Sequence, residues 1–384
     1  MARTKKNGDY FIAAQIVSKL VRREFGQDLD ELPSIDEDLA REVIRTALRN
    51  KLLKPVLNEL QALGVGVPAD LEPEVANYLH RTMKRTAAAL ATLREASRTL
   101  SDAGISHAAF KGPARQIALG QDLFERPVAD VDILVRSEDF ARATGLLCEL
   151  GFFVPHITDS PWWRHFLGEH PLFPTKRGRC QIDLHHHVQH PSCPRPRDEK
   201  GAMFAELEWF DVSGHKVPRL GANAIFLHTV ISVVKGLMNR EATGAHVLDL
   251  ARQLRSTTAD QRAEMQKVAS DQRLAKSYEV ARRAALVLTG VEAGPTPEWF
   301  VPDELLLAML LVPSAWNLRW PPRRRMLWHL VDGPSTPSRA ANFTREFAWW
   351  AAAEATRRTH DVSLSADPAD ERATILAAQA AQMK

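Results

Sequence analysis

The feature that most constrains the fold is a run at residues 128–135, in which apolar residues alternate with Asp130 and Asp132. Successive side chains of a β-strand point to opposite faces of the sheet, so this alternation predicts a strand with one buried face. Val131 and Ile133 then point into a core, while the two acids project together from the other face. The run therefore predicts two carboxylates held side by side on a sheet.

Two further strand-type runs lie on either side of this one. Residues 107–110 come first, and a short helix is expected at 113–119 because proline is favoured in the first turn of a helix. Residues 180–185 alternate in the same way and carry Asp183 opposite their apolar residues. The three runs predict a small mixed β-sheet.

The rest of the chain has apolar residues at intervals of three and four, which is the helical pattern. A chain of 384 residues exceeds the usual size of a single core, so we expect several packed modules. The predicted class is α+β, with an α-helical N-terminal region (1–95), an α/β core (96–220) and an α-helical C-terminal region (221–384). Helices are expected at 73–100, 225–237, 247–254, 275–288, 305–312, 345–358 and 371–383.

Charge and hydropathy exclude some classes of protein. The 50 Lys and Arg nearly balance the 47 Asp and Glu, so the net charge of +3 does not indicate a nucleic-acid partner. The longest strongly apolar run, residues 305–312, falls far short of the roughly 20 residues that a membrane span needs. With three cysteines in no framework spacing, these features predict a cytoplasmic protein without a membrane partner.

The acidic residues indicate a metal site. Asp130 and Asp132 repel each other unless a divalent cation lies between them, and hard oxygen ligands suit Mg²⁺ or Mn²⁺. Asp183 on a neighbouring strand would complete a two-metal site of the kind that handles triphosphates. Two alternatives stay open: a D-x-D pair also occurs as exposed strand residues, and Asp183 could cap a turn.

Basic and small residues precede the acids. Lys111 and Gly112 lie where a strand ends and a helix begins, a place where backbone N–H groups, an ammonium and a missing Cβ favour phosphate. An ordinary strand-to-helix turn is the alternative. Arg126 could neutralise phosphate or pair with an acid of the site, and a purely structural salt bridge is the competing interpretation.

Together these residues resemble a little-characterised bacterial family of nucleotidyltransferases in the polymerase-beta-like superfamily. The similarity spans about residues 95–255. It implies that the small mixed sheet is a nucleotidyltransferase core, with a divalent-metal triad that transfers a nucleotidyl group from an NTP to an acceptor hydroxyl or phosphate and releases pyrophosphate. The motifs that carry it are Phe110-Lys111-Gly112, Arg126-Pro127, the acids Asp130 and Asp132, Leu150-Gly151-Phe152, and Ile182-Asp183-Leu184-His185.

The resemblance also implies that His228, Lys235 and Asp249 line the nucleotide or acceptor side of the cleft. Without it, a core histidine and a solvent-facing lysine are the commoner cases. The Gly-Ser of the wider superfamily is here Lys111-Gly112, which leaves phosphoryl transfer open, as well as a non-catalytic nucleotide- or partner-binding module. The acceptor could be a small molecule, a peptide, a protein or an RNA end.

Three further patterns are weighed against simpler explanations. His185 is expected beside the acids, as a partner of a metal ligand or as a substrate contact, and the histidines and cysteines around it match no usual zinc spacing. Residues 154–179, with Trp162 and Trp163, are expected as a long loop that acts as a lid, unless the tryptophans pack against a helical region. The Trp/Arg segment at 316–328 suggests a strand-binding surface or simple packing.

Overall fold

One mixed open sheet runs through the middle of this computed structural model, which describes residues 2–27, 32–189, 193–292, 301–313, 325–332 and 335–359. The protein is of the α+β class, as predicted. Across the sheet the strand order is β3-β4-β5-β2-β1-β7-β6. Within the described residues the strands are β1 (His107–Ala109), β2 (Asp130–Val135), β3 (Phe152–Phe153), β4 (Glu169–Pro174), β5 (Gln181–His185), β6 (Leu207–Val212) and β7 (His215–Leu220).

The register of the central strands decides which side chains meet. β2 pairs in parallel with β5, and this pairing sets Asp132 beside Asp183 and Asp130 beside Gln181. On the far side of β5, β4 pairs antiparallel and places Glu169 opposite His185. Because paired residues share a face of the sheet, these polar residues all project from one side.

The helices surround the sheet and agree closely with the sequence pattern. All the expected helices in the described residues are present, and the one expected at 371–383 lies outside those residues. The bounds are α1 (Ala2–Glu24), α2 (Glu37–Arg49), α3 (Leu53–Ala62), α4 (Glu72–Asp102), α5 (Gly112–Ala118), α6 (Phe140–Glu149), α7 (Glu199–Phe204), α8 (Ala222–Asn239), α9 (Gly244–Arg255), α10 (Ala259–Asp271), α11 (Ala275–Thr289), α12 (Asp303–Leu311) and α13 (Thr336–Thr359).

The two faces of the sheet are covered by different helices. Val131 and Ile133 point into a core with α4 and α6, as the alternation predicted. The opposite face carries Phe110 and Leu134, which join a second core that includes Phe226 of α8. Asp132 shares that second face, so the acids lie between the sheet and the C-terminal helices.

The N-terminal and C-terminal helices share this second core. Residues of α1, α2, α9, α11 and α12 belong to it. The buried Ser18 hydroxyl on α1 donates to the carbonyl of Leu288 on α11 at 2.8 Å. The two helical regions therefore pack on each other, and the division at residues 95 and 220 stays a prediction. Within the described part of the chain, no helix is long and apolar enough to cross a bilayer.

One expectation from the sequence is wrong. Residues 154–179 are not a long loop: they contain a 3-10 turn (His156–Thr158), a π-helix (Trp162–Leu167) and β4. The Trp163 side chain is buried, and Phe166 lies 5.0 Å from the ring of Trp349 on α13. The alternative for Trp162 and Trp163 was packing against a helical region, and it describes this segment better than a lid does.

Candidate active site

The central observation at the site is a close group formed by Asp132, Asp183 and His185. One possible ligand atom from each residue lies within 4.8 Å of the others. The backbone explains the grouping, because the register places the two acids side by side and His185 follows Asp183 by two residues on the same face. The structure therefore brings these two acids together.

Asp130 stands at the edge of this group. It lies two residues before Asp132 and beside Gln181, on the face that carries the other acids. Its negative charge is one of the causes that raise the pKa of Asp183. Asp130 is thus close enough to act electrostatically on the group, and its role as a metal ligand stays a prediction.

Lys111 forms an ion pair with Asp132. Its Nζ lies 2.5 Å from Asp132 Oδ1 and 4.8 Å from the centre of the Phe110 ring. Burial opposes ionisation of Asp132, but Lys111 and His185 prevail and hold the pKa of this carboxyl below its usual range. Burial also acts against the charge on Lys111, yet Asp132 and Glu169 raise the pKa of its ammonium. Both partners are therefore charged.

Asp183 behaves in the opposite way. Burial, and then the charges of Glu169, Asp130 and Asp132, raise the pKa of its carboxyl well above the ordinary value. The Gln181 amide donates a hydrogen bond to Asp183 Oδ1 at 2.5 Å, which offsets only part of this effect. The site thus holds more negative charge than its own cations balance.

The donor set fits a divalent cation. Two carboxylates and one imidazole converge, and a cation between them would relieve the repulsion that raises the pKa of Asp183. Carboxylate oxygens suit Mg²⁺ and Mn²⁺, and an imidazole nitrogen shifts the preference towards the softer Mn²⁺. The residues present therefore accord with the expected Mg²⁺ or Mn²⁺.

Sequence analysis missed Glu169. Its Oε2 lies 3.7 Å from His185 Nδ1, while His185 Nε2 lies 3.1 Å from Asp132 Oδ1. The Phe110 ring packs edge-on against the imidazole, with 5.1 Å between the ring centres. The run Glu-His-Pro-Leu-Phe-Pro at 169–174 shows no alternation of polar and apolar residues, and its two prolines concealed the strand.

Comparison with known families decides the identity of the chain. A family model described as an uncharacterised nucleotidyltransferase matches residues 36–289. The chain belongs to this nucleotidyltransferase family. The match runs from just before α2 to the end of α11, and therefore includes the sheet and much of both helical regions. No curated protein matches the chain. The metal, the NTP donor, the bacterial origin, the superfamily placement and the cytoplasmic location stay predictions.

Gly112 in this chain has a structural reason of its own. It begins α5 with a φ of +50°, a conformation that favours glycine. A Cβ at this position would lie 3.2 Å from Val128 Cγ1, just before β2. The close packing of α5 on this segment therefore explains the glycine without a ligand, and its contact with phosphate stays a prediction.

Arg126 and Asp249 are joined to each other. The two guanidinium nitrogens of Arg126 donate to the two carboxylate oxygens of Asp249, each at 2.8 Å. Arg115 Nε lies 3.2 Å from the same carboxylate, and the Gln121 amide donates to it at 2.8 Å. Asp249 is fully buried. The salt-bridge interpretation of Arg126 thus describes the geometry, and Asp249 is its partner.

His228 and Lys235 lie on α8, facing the sheet side of the site. His228 is 1% exposed, and its ring centre is 5.2 Å from that of Phe110. Burial, then Arg115 and Lys111, hold the pKa of His228 well below its ordinary value, so the ring is neutral. Lys235 follows two turns later on the same face of α8 and is half-buried. Contact of either residue with a nucleotide stays a prediction.

The other patterns of the sequence are less informative about chemistry. His187 pairs with Glu199 at 3.1 Å. Among the described residues, no group able to hold a metal ion includes His187, Cys180 or Cys193. His190 lies outside them.

The described part of the Trp/Arg segment is its C-terminal end, residues 325–328. Trp328 Nε1 donates to Ser277 of α11 at 3.0 Å, so this tryptophan packs on a helix. Outside the described residues lie Trp316, Arg319, Trp320, Arg323 and Arg324.

The buried cluster around Asp249 predicts a large loss of stability in Asp249→Ala. Two buried guanidinium groups would lose their carboxylate, which we expect to lower the free energy of unfolding by about 3–5 kcal/mol. Asp271→Ala, which breaks an exposed ion pair with Lys267, should cost about 0.5 kcal/mol. Urea unfolding of both variants measures the difference, and similar small losses would contradict a structural role for Asp249.

The raised pKa of Asp183 predicts that Asp183→Asn stabilises the metal-free protein. A raised pKa in the folded state means a contribution to stability that is full below the unfolded-state pKa, about 4, and is lost as the pH rises through the folded-state pKa. Asp183→Asn has no carboxyl to ionise, so it avoids the cost of ionising Asp183 in the folded state at high pH. In EDTA its free energy of unfolding should therefore exceed that of wild type at about pH 8, with the gap closing near pH 4. Equal stability at both pH values would refute the electrostatic account.

Proposed function

We propose that the protein transfers a nucleotidyl group from an NTP to an acceptor hydroxyl or phosphate, with release of pyrophosphate, and that it needs Mg²⁺ or Mn²⁺. One observation carries this proposal. Asp132, Asp183 and His185 converge within 4.8 Å beside Lys111, in a chain of a nucleotidyltransferase family. A cation site next to an ammonium is the arrangement that binding of a metal triphosphate needs.

The acids would supply the oxygen ligands. Asp132 is ionised through its contact with Lys111, and Asp183 adds a second carboxylate on the neighbouring strand. Asp130, at the edge of the group, would extend the ligand set along β2. A bound divalent cation would polarise the phosphate oxygens and neutralise the charge that develops on the leaving pyrophosphate.

Lys111 would bind the triphosphate. Its side chain is 31% exposed and its ammonium contacts Asp132. In the proposed complex the ammonium would contact the triphosphate as well. It takes the place of the serine that is usual in the wider superfamily. Lys235, on the face of α8 that carries His228, would supply a second positive charge further along the cleft. Both lysines would act as point charges on phosphate oxygens.

Asp183 is the acid that we assign to the proton transfer. Burial and the charges of Glu169, Asp130 and Asp132 raise the pKa of its carboxyl as long as no cation offsets them. In the proposed reaction the acceptor oxygen attacks the α-phosphorus, the bond to pyrophosphate breaks, and the proton of the acceptor hydroxyl passes to Asp183. One oxygen of Asp183 would bind the cation and the other would accept the proton, because Asp132 is already paired with Lys111 and His185.

Labelling the phosphates of the NTP would distinguish nucleotidyl transfer from phosphoryl transfer at the same site. Nucleotidyl transfer would place a label from the α-phosphate on the acceptor and release pyrophosphate, whereas phosphoryl transfer would move the γ-phosphate and release an NDP. Binding of an NTP without either product would indicate a non-catalytic module. Mass detection of the labelled product would show whether the acceptor is a small molecule, a peptide, a protein or an RNA end.

The proposed function predicts a loss of activity when the acids are replaced. Asp130→Ala and Asp132→Ala should lower Mg²⁺-dependent release of pyrophosphate by about 100-fold or more, because even partners of metal ligands contribute about 10–100-fold. Asp102→Asn, at the exposed end of α4, is the matched control and should retain full activity. Release of pyrophosphate by the Asp132 variant at the wild-type rate would remove the metal group from the reaction.

The proposed function also predicts weaker binding of the nucleotide when Lys111 is replaced. Lys111→Met keeps the aliphatic stem beside Phe110 but removes the charge, so the affinity for a non-hydrolysable NTP with Mn²⁺ should fall by about tenfold, or about 1.4 kcal/mol. Lys84→Met, on an exposed position of α4, should bind the analogue as wild type does. Calorimetric titration measures both. An unchanged affinity in the Lys111 variant would show that the lysine does not contact the triphosphate.

A further inference from the structure

The imidazole of His185 is held between two carboxylates. Its Nε2 lies 3.1 Å from Asp132 Oδ1, and its Nδ1 lies 3.7 Å from Glu169 Oε2. The ring is 4% exposed, and Phe110 packs edge-on against it. Each nitrogen therefore faces a different acid, and the ring has little freedom to turn.

The backbone sets Glu169 in this position. The antiparallel pairing of β4 with β5 puts Glu169 directly opposite His185, and opposite residues of such a pair share a face of the sheet. The Glu169 side chain is 17% exposed, so its carboxylate faces the interior of the site. Its charge also reaches Asp183 and Lys111, where it raises the pKa of both groups.

Glu169 lies outside the close group of possible ligands. That group contains Asp132, Asp183 and His185, and Glu169 Oε2 lies 3.7 Å from the nitrogen of the imidazole that faces away from Asp132. A metal-bound histidine usually donates its other N–H to a carboxylate, which fixes the ring and the position of its proton. Glu169 occupies the place of that carboxylate.

We propose that Glu169 is a positioning residue for a divalent cation: when the cation is bound to His185 Nε2, Glu169 accepts the Nδ1–H, for which the 3.7 Å between Nδ1 and Oε2 shortens to hydrogen-bond distance. This inference rests on the proposed function, because it needs the cation there. A neutral imidazole has one N–H and one lone pair. With the N–H on the Glu169 side, Nε2 would offer its lone pair to a cation held by Asp132 and Asp183. Glu169 thus acts through His185.

Binding of Mn²⁺ alone, without nucleotide, tests the inference. Glu169→Ala should raise the Kd for Mn²⁺, followed by electron paramagnetic resonance of the free ion, by about 10–100-fold. Glu169→Gln keeps the shape and an accepting oxygen, so its loss should be smaller. Glu199→Gln is the matched control, since Glu199 pairs with His187 outside the close group, and it should leave the Kd unchanged.

A double-mutant cycle separates positioning from direct binding. If Glu169 acts through the imidazole, Glu169→Ala should cause no further loss of Mn²⁺ affinity in a His185→Ala background. Additive losses, or an unchanged Kd in both Glu169 variants, would overturn the inference while leaving the proposed function intact. Wild-type protein that binds no Mn²⁺ would overturn both. Glu169→Gln, with its folding checked by thermal unfolding, keeps the test decisive if the alanine variant does not fold.

Discussion

The parallel pairing of β2 with β5 is the constraint on which the rest of the site depends. Its register sets the buried Asp132 beside the half-buried Asp183, so two acids that repel each other are neighbours. Lys111 and His185 lower the pKa of Asp132, whereas burial and the charges of Glu169, Asp130 and Asp132 raise the pKa of Asp183. Backbone hydrogen bonds fix this register and keep the backbones of the two acids side by side, which is the arrangement that the proposed cation site needs.

In this fold the buried ion pair that joins distant segments of the chain is separate from the charged residues of the candidate metal site. The Arg126–Asp249 pair is fully satisfied and buried, and it ties α9 to the segment that leads into β2. The acids on β2 and β5 outnumber their cations, so the site lowers the stability of the metal-free chain. Folds commonly concentrate such conflicts at functional positions and compensate for them elsewhere. Lys111 pairs with Asp132 within this site, and its side chain is partly exposed.

Much of this arrangement could be predicted from the sequence, for local reasons. Strand alternation predicted β2, β5 and the shared face of their acids, and helical periodicity predicted α4, α8 and α11. Features that depend on distant contacts could not be predicted. The pairing of Arg126 with Asp249 joins residues 123 positions apart. Glu169 was missed because Pro171 and Pro174 are typical of loops. Pairing with β5 and β3 nevertheless holds this segment as the strand β4.

The central claim is that Asp132, Asp183 and His185 together hold a divalent cation that binds an NTP. Anomalous diffraction from crystals soaked in Mn²⁺ and a non-hydrolysable NTP tests it most directly. The account predicts an anomalous peak at ligand distance, about 2.0–2.3 Å, from carboxylate oxygens of Asp132 and Asp183 and from His185 Nε2, with the triphosphate beside Lys111. A nucleotide bound elsewhere, or Mn²⁺ bound away from these three side chains, would contradict it.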